Sequence, residues 1–371
     1  MPMTPSRLGT RDGTRRGTPC SIAPPDLLAR VARQGSPEQR DAALAALAAS
    51  ASLRTQRSLL SRMRLELGAD TANTFAGLAG TASPTRRQTV YDNRTQGRSG
   101  LPGTRVRGED DPPVDDPSVN SAYDGTAATY DLLEQVFGRD SLDGQGMELI
   151  SSVHYGVDFD NAFWNGAQMV YGDGSGQLFV KGALVQALEV VGHELFHGVT
   201  SFTADLTYSK QSGALNEHFS DVFGSLVKQR HLDQTVDEAD WLIGAGTLVP
   251  SMGRALRSMS EPGTAYDGDS QPADMAHYVD LPDDNDPRND NGGVHTNSGI
   301  PNRAFYLVAT ALGGRAWETA GQIWYRTVTE RLGSLSQFSD AAHQTVDVAS
   351  SFGDTERAAV EKAWREVGVL T

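Results

Sequence analysis

Apolar residues recur with helical spacing along the second half of the chain. Leu184, Val185, Leu188, Val191 and Leu195 recur mainly at three- and four-residue steps, which predicts a helix with one buried face. Four further segments show the same period, at residues 300–312, 316–331, 336–351 and 355–367. The chain beyond Gly182 is therefore predicted to be mainly helical.

Between residues 105 and 182 the pattern changes to short β-type runs separated by turn residues. The clearest runs lie at 148–155 and 168–174, and one helical stretch precedes them at 122–137. This arrangement predicts an α+β fold, in which a β-rich N-lobe is followed by a helical C-lobe. We expect a cleft between the two lobes.

The first hundred residues form a third region. Residues 22–67 show a helical pattern with an alanine-rich run at 42–49, whereas residues 68–103 are polar and rich in Gly, Thr, Arg and Ser. The second composition is typical of an exposed linker, where proteolytic nicking concentrates. We therefore expect a small helical segment joined to the body by a cleavable linker.

The N-terminal region and the rest of the chain also differ in net charge. Residues 1–90 contain 13 arginines and six acidic residues, a net +7, so the remaining residues carry −22 of the chain's net charge of −15. A basic segment tied to an acidic body tends to dock on it. A solvated basic tail and a nucleic-acid-binding tail are the alternatives, but aromatic residues are not interleaved with these arginines, so no nucleic-acid partner is expected.

The sequence also limits where the protein can act. At 371 residues and 39.7 kDa it is long enough for two lobes, and it contains no apolar run of membrane-spanning length, so no membrane partner is expected. Arg15 and Arg16 resemble a twin-arginine signal, but Pro24 and Pro25 interrupt the region where its apolar core would lie. We expect a monomer, either cytoplasmic or exported by a route without a recognisable signal peptide. The single cysteine, Cys20, excludes an intrachain disulfide.

Candidate chemistry begins on the apolar helix, which carries His-Glu-x-x-His at residues 193–197. Residues four apart share a helix face, so His193 and His197 can direct their rings at one zinc ion. Glu194 lies about 100° around the helix axis and can instead reach a water on the metal as a general base. The pattern also occurs by chance, and two packed, hydrogen-bonded histidines remain the alternative.

A second segment about twenty residues further on favours the metal site. If residues 213–221 are helical, Glu217 and Asp221 share one face. Glu217 would complete a set of two imidazoles and one carboxylate with a position left open for water. Asp221 would accept a hydrogen bond from a ligand histidine and fix its tautomer, and Asn216 is expected beside it behind the ligands. An ordinary amphipathic helix with two acids is the alternative.

These motifs resemble the thermolysin family of zinc endopeptidases. The resemblance rests on the His193 motif, on residues 212–221, on Asn161 to Gly166 and on residues 292–300, and it covers roughly residues 100–371. It implies a two-lobe metalloprotease with the zinc helix on the floor of the cleft. The short N-terminal segment is most similar to that of the protealysin-like group, which implies a helical propeptide at residues 1–85, an N-lobe at 86–200 and a C-lobe at 201–371.

The resemblance also implies roles around the zinc. His295 and Tyr208 correspond to the donors that stabilise the transition state, and Asp290 to the acid that orients the histidine. Asn161 and the carbonyl of Ala162 would bind the peptide backbone, and Arg257 the carbonyl after the cut. Val190, Ile243 and Leu256 would form a pocket for a large apolar side chain on the C-terminal side of the cleaved bond.

The propeptide suggests a switch. Residues 20–28 resemble the propeptides of protealysin-like precursors, so we expect residues 1 to about 85 to block the cleft as an intramolecular inhibitor until they are removed. Cys20 could occupy the open position of the zinc until that cleavage. An idle thiol is the alternative.

Calcium binding is expected to differ from that of thermolysin. The acids of that enzyme's double calcium site correspond here to Glu189, Lys228, Asp240, Leu242 and Ala245. Two carboxylates cannot neutralise two Ca²⁺ ions. We therefore predict that the double site is absent and that Lys228 pairs with Glu189, Asp240 or both.

Two other functions remain open from the sequence. One is an inactive relative that binds zinc and peptide, although Glu194, Tyr208 and His295 are all present. The other is an interaction protein that works through its basic N-terminal segment.

Overall fold

A computed structural model describes residues 22–50, 85–284 and 286–371. Cys20, the helical pattern at 51–67 and most of the predicted linker lie outside these ranges. The N-terminal segment contributes helix α1 (Pro25–Gln34), and residues 37–50 form helix α2. Leu27, Leu28 and Val31 form the buried face of α1, which accounts for the apolar spacing there.

The N-lobe contains a five-stranded sheet and a long helix, as the β-type runs predict. Its elements are β1 (Gln88–Asp92), β2 (Thr104–Gly108), α3 (Pro117–Phe137), β3 (Leu149–Val153), β4 (Ala162–Trp164) and β5 (Met169–Tyr171), with a short 3₁₀ helix at Gly97–Gly100. The strand order is β2-β1-β3-β5-β4. The central pairs β1–β3 and β3–β5 are parallel, and the outer pairs β1–β2 and β4–β5 are antiparallel. Strand β4 therefore lies at the sheet edge.

The C-terminal half is helical at its two ends and irregular between them. Helices α4 (Ala183–Gln186), α5 (Leu188–Ser201) and α6 (Lys210–His231) come first, and α7 (Asp290–Asn297), α8 (Gly299–Leu312), α9 (Thr319–Glu330), α10 (Phe338–Ser350) and α11 (Asp354–Glu366) come last. Strands β6 (Leu242–Ile243) and β7 (Arg257–Ser258) form a small hairpin between them, and 3₁₀ helices occupy Met275–His277 and Pro287–Asn289.

The prediction of a mainly helical chain beyond Gly182 is thus confirmed, although most of residues 232–289 are not helical. That stretch is held by turns and by side-chain hydrogen bonds to the backbone. Asp269, for example, accepts from the amides of Ala265 and Gln271. The continuous helix predicted from residue 184 onward is also interrupted, because Ala187 has an extended backbone between α4 and α5. In the parts of the chain that the structure describes, no helix is long and apolar enough to cross a membrane.

Helices α5 and α6 approach each other at two glycines. A Cβ atom on Gly224 would overlap the carbonyl oxygen of Glu189 and lie 3.0 Å from the amide nitrogen of His193. A Cβ atom on Gly192 would lie 3.0 Å from the Cα atom of Gly224. Larger residues would push the helix axes apart. The two glycines therefore allow the histidines of α5 to lie against the carboxylates of α6.

His154 joins three parts of the N-lobe. It follows β3, and its positive φ of 55° ends the strand. Its ring nitrogens lie 2.8 Å from Asp173, which follows β5, and 2.8 Å from Asp116, the N-cap residue of α3. The hydrogen bond to Asp173, followed by that to Asp116, raises the pKa of His154 to about 9 against the opposing effect of partial burial.

This raised pKa predicts a pH-dependent stability. Because the folded pKa lies above the unfolded value, the stabilisation is fully present below about pH 6.5 and is lost as the pH rises through about 9. His154→Gln should lower the free energy of unfolding by about 1–2 kcal/mol at pH 6, after allowance for solvent screening, and by less at pH 9.5. Urea unfolding at both pH values measures this. An equal loss of unfolding free energy at pH 6 and pH 9.5 would contradict this prediction. His343→Gln is the control, because the ring of His343 contacts the carbonyl of Ser339 rather than a carboxylate.

Candidate active site

Two histidines and one glutamate converge between α5 and α6. The Nε2 atoms of His193 and His197 lie 3.1 Å apart. The carboxylate oxygens of Glu217 lie 3.4 Å from His193 Nε2 and 3.5 Å from His197 Nε2. All three side chains are buried. The predicted ligand set is therefore assembled as expected, with three donor atoms facing one point.

The three separations fit a tetrahedral zinc ion. Ligand atoms about 2.0–2.1 Å from a tetrahedral zinc are about 3.3–3.4 Å from one another, close to the 3.1–3.5 Å observed. Glu217 Oε2 is buried without a hydrogen-bond partner, which is costly unless a cation is present. Within the described residues, only this group of His, Cys, Asp or Glu side chains has metal-binding spacing.

The outer ring nitrogens of both histidines are held by α6. Asp221 Oδ1 lies 2.8 Å from His193 Nδ1, and Asn216 Oδ1 lies 2.8 Å from His197 Nδ1. Ser220 Oγ is a further partner, 3.0 Å from His197 Nδ1. With Nδ1 donating to these oxygens, each Nε2 keeps its lone pair directed at the metal position. Asp221 and Asn216 thus lie where the sequence predicts.

Glu194 faces the same space from the other side of α5. Its Oε2 atom accepts a hydrogen bond of 3.0 Å from the amide of Trp164 in β4. Its Oε1 atom is buried and has no hydrogen-bond partner among the described residues. Burial raises the pKa of Glu194 to about 8. A carboxylate held in this way can accept and release a proton near neutral pH.

Tyr208 and His295 lie on the far side of the ligand cluster. The Tyr208 hydroxyl donates to Glu217 Oε1 and lies 3.2 Å from His295 Nε2. Asp290 Oδ1 lies 2.6 Å from His295 Nδ1, and Asp290 Oδ2 accepts from the amide of His295 at 2.7 Å. Burial lowers the pKa of His295, but Glu217 and Asp290 outweigh it and raise the value to about 9. Both side chains are therefore potential donors beside the metal position.

The turn that places His295 depends on left-handed backbone. Asp290, Asn291, Gly292 and Gly293 have φ values of 50°, 49°, 83° and 82°, so the first part of α7 is not regular helix. Such a run favours glycine and asparagine. It turns the chain back so that the carboxylate of Asp290 reaches both the ring and the amide of His295.

Arg257 is buried beneath the site and has two roles. Its Nε and one terminal nitrogen each lie 2.8 Å from an oxygen of Asp221. Burial would raise the pKa of Asp221, but Arg257 and His193 hold it well below its usual range. The other terminal nitrogen donates to the carbonyl of Ile22 at 3.3 Å. Arg257 therefore binds a peptide carbonyl while its own charge is balanced by Asp221.

The N-terminal segment lies along the edge strand like a bound peptide. The amide of Ile22 donates to the carbonyl of Ala162 at 3.3 Å, and the amide of Ala23 to Asn161 Oδ1 at 3.3 Å. Asn161 Nδ2 in turn lies 3.3 Å from Ser50 Oγ of α2. The backbone-binding residues named from the sequence thus contact the backbone of the N-terminal segment.

The following residues anchor α1 to the C-lobe. Asp26 accepts hydrogen bonds from the Tyr266 hydroxyl at 3.1 Å and from Ser270 Oγ at 2.7 Å. Ile22, Leu27 and Leu28 are at most 1% exposed and belong to the main hydrophobic core. The N-terminal segment is therefore held by polar and apolar contacts on both sides of the cleft.

The residues expected in the specificity pocket are buried, and Lys228 lies beside its expected partners. Val190, Ile243 and Leu256 are fully buried in the same apolar cluster as Ile22. Lys228 Nζ lies 3.4 Å from Glu189 and 2.8 Å from Asp240, so it contacts both predicted partners.

Some residues of the site were not predicted from the sequence. The amide of Trp164 carries no side-chain signal, and Ser220 lies within a motif whose other members were assigned. His218 is fully buried, and burial lowers its pKa to about 4. Its partner Asn302 lies on α8, far away in sequence, and was not recognised.

Two family profiles together match most of the chain. The profile of the thermolysin metallopeptidase catalytic domain matches residues 72–201, and that of the thermolysin metallopeptidase alpha-helical domain matches residues 204–369. The boundary between the two profiles falls directly after α5.

Individual relatives are similar along most of the chain. An extracellular metalloprotease of Pectobacterium carotovorum is 45% identical over 360 residues, covering 94% of this chain and 96% of that protein. Protease PrtS of a Photorhabdus strain is 46% identical over 296 residues, with 77% of each chain covered. The solved precursor of protealysin, a metalloproteinase from Serratia proteamaculans, has a TM-score of 0.80 at 45% identity and covers 94% of this chain and 99% of its own.

Proposed function

Because this chain belongs to the thermolysin family of metallopeptidases and is a zinc-dependent neutral endopeptidase, we propose that hydrolysis takes place at His193, His197 and Glu217, with Glu194 as the general base. One observation carries this assignment. The two Nε2 atoms lie 3.1 Å apart, each lies 3.4–3.5 Å from an oxygen of Glu217, and the Glu194 oxygen without a described hydrogen-bond partner is buried nearby.

Zinc bound there would lower the pKa of water to about 7 and polarise the peptide carbonyl. Glu194 then takes the proton of the attacking water on Oε1, while the Trp164 amide holds Oε2. The raised pKa of Glu194 suits the return of that proton to the leaving nitrogen. The positive charges of His193 and Arg257 oppose the increase in this pKa. The buried site keeps this transfer away from bulk solvent.

Tyr208 and His295 stabilise the oxygen that gains negative charge as water adds to the carbonyl. Their polar atoms lie 3.2 Å apart beside Glu217, so both can reach one oxygen. Asp290 keeps the His295 ring oriented and favours its charged form. Loss of one such donor typically costs about 2.7–4 kcal/mol of barrier, a hundredfold or more in rate.

Substrate binds in the manner of the N-terminal segment. Asn161 and the Ala162 carbonyl pair with the backbone of the substrate, and Arg257 holds a carbonyl on the C-terminal side of the cut. The burial of Ile22 among apolar residues supports a preference for a large apolar side chain directly after the cleaved bond. The pocket residues are Val190, Ile243 and Leu256.

Glu194→Gln tests the catalytic assignment. The amide can still accept from the Trp164 amide, so the variant should fold and keep one zinc ion per chain. It should lose a factor of about 10²–10⁴ in kcat because no base remains. Peptide hydrolysis and elemental analysis measure this, with Glu366→Gln on the exposed end of α11 as control. Substantial hydrolysis by the zinc-loaded variant would contradict the assignment, and so would normal hydrolysis by wild type after zinc is removed.

We further propose that residues 1–85 are an inhibitory propeptide and that residues 86–200 and 201–371 are the two lobes of the mature enzyme. The contacts of Ile22 and Ala23 with Asn161, Ala162 and Arg257 support this, because substrate would use the same groups. Cleavage in the linker would release the segment. Whether the Cys20 thiol assists the block is tested by Cys20→Ser, which should raise precursor activity if it does.

Ile22→Asp tests the propeptide proposal. Burying an unpaired carboxylate disfavours docking of the segment. The uncleaved variant should therefore hydrolyse a short peptide at least about tenfold faster than the uncleaved wild type. Initial rates, with gel analysis to show intact chains, measure the effect, and Arg33→Ala on the exposed face of α1 is the matched control. Equal latency, or fully active wild type that retains Met1, would contradict the proposal.

We also propose that Lys228 replaces calcium beside Glu189. Glu189 is buried, and its only cation among the described residues is Lys228, which lies 16% exposed between Glu189 and Asp240. Glu189 also accepts from the amide of Ala245 at 3.1 Å. The lysine thus links the start of α5 to the segment before β6 without a metal ion.

Removal of this lysine should be costly. Lys228→Met leaves the Glu189 carboxylate buried without its cation and should lower the free energy of unfolding by about 2–4 kcal/mol. Lys181→Met, which breaks the exposed pair with Asp158, should cost less than about 1 kcal/mol. Urea unfolding with and without calcium measures both. A wild type whose stability rises steeply with calcium, or equal losses in the two variants, would contradict the proposal.

The site is complete within one chain, which supports a monomeric enzyme. The name of the Pectobacterium relative supports export, so we propose that peptides and proteins outside the cytoplasm are the substrates.

A further inference from the structure

A further buried histidine, His218, lies directly behind the ligand cluster. His218 follows Glu217 in α6, but its ring faces α8 and α9 and is fully buried. Its Nδ1 atom lies 2.8 Å from Asn302 Oδ1 on α8, and its Nε2 atom lies 2.7 Å from Trp324 Nε1 on α9. It contributes no atom to the metal-binding group.

The donor and the acceptor of each hydrogen bond from Trp324 through His218 and Asn302 to Asp221 can be assigned. An indole nitrogen can only donate, so Trp324 donates to Nε2 of His218. The proton of the neutral ring is then on Nδ1 and is donated to Asn302 Oδ1. That fixes the orientation of the Asn302 amide, whose Nδ2 atom donates to Asp221 Oδ2 at 2.8 Å.

This series of hydrogen bonds ends at the carboxylate of Asp221, which accepts from four donors. Asp221 Oδ2 accepts from Asn302 and from Arg257 Nε, and Oδ1 accepts from His193 Nδ1 and from the second nitrogen of Arg257, each at 2.8 Å. Asp221 therefore contacts a zinc ligand and the arginine that binds the peptide carbonyl at the same time. Its position affects both.

We propose that His218, Asn302 and Trp324 are positioning residues that orient the Asp221 carboxylate, and through it both His193 and Arg257. This proposal rests on the function assigned above to His193 and Arg257. Without the N–H group of His218, the amide of Asn302 loses the partner that determines its orientation. Rotation would then turn its oxygen towards Asp221, and the repulsion would shift the carboxylate.

A role of His218 in orienting Asp221 can be distinguished from a role in packing alone. An apolar residue at position 218 could fill the same volume, and replacing a buried polar group together with its partners is often nearly neutral for stability. A histidine that only fills space should therefore affect stability alone. A histidine that orients Asp221 should also affect zinc affinity and substrate binding.

His218→Leu in the mature enzyme is the main test. We expect the zinc dissociation constant, measured by competition with a chelator, to rise about tenfold, at the lower end of the range for groups that support metal ligands. At saturating zinc the KM for a peptide substrate should also rise severalfold, because Arg257 is displaced. His218→Gln should restore much of both, since its amide can accept from Trp324 and donate to Asn302.

A matched control distinguishes this from general destabilisation. His154→Gln also removes two hydrogen bonds of a histidine, here a partly buried one in the N-lobe, and should leave zinc affinity and KM unchanged. If His218→Leu does not fold, Asn302→Ala carries the same test, because it removes the amide that contacts Asp221. Unchanged zinc affinity and KM in the folded variant would overturn the proposal. Failure of the wild type itself to bind zinc would instead refute the proposed function.

Discussion

The close crossing of α5 and α6 is the constraint on which the site depends. Gly192 and Gly224 let the two helices approach until a Cβ atom would collide with the opposite backbone. At this separation the histidines of α5 reach Glu217, Asp221 and Asn216 of α6 within hydrogen-bonding or metal-binding distance. Because these ligands lie on helices packed in the core, they are held rigidly before any metal binds, which reduces the entropy lost on binding.

The same packing buries an unusual amount of charge. Glu194, Glu217, Asp221 and Asp290 are each at most 3% exposed, and the cations that face them are Arg257 and the protonated rings of His193 and His295. When all four carboxylates are ionised and His193 is neutral as a metal ligand, two negative charges remain for a divalent cation to neutralise. Desolvated charges are tolerated only when they are paired. The described part of the N-terminal segment adds polar partners through the Ile22 carbonyl, which accepts from Arg257, and through Asp26, which accepts from Tyr266.

Much of the site could be predicted from the sequence because its residues lie in short motifs on two helices. Spacing of four residues placed His193 with His197 and Glu217 with Asp221, and resemblance to a family supplied Tyr208, His295 and Arg257. The irregular stretch 232–289 was missed because it is held by turns and side-chain hydrogen bonds to the backbone, which have no periodic signal. The break at Ala187 contains neither proline nor glycine, so tertiary packing sets it. The Trp164 amide and the pairing of His218 with Asn302 and Trp324 join distant residues, which no local pattern reveals.

X-ray absorption at the zinc edge of the activated enzyme tests the central claim most directly. The account predicts one zinc ion per chain, with two imidazole nitrogens, one carboxylate oxygen and one water oxygen at about 2.0–2.2 Å, and loss of the carboxylate ligand or of the zinc itself in Glu217→Ala. Absence of zinc, or an unchanged first coordination sphere in that variant, would contradict it.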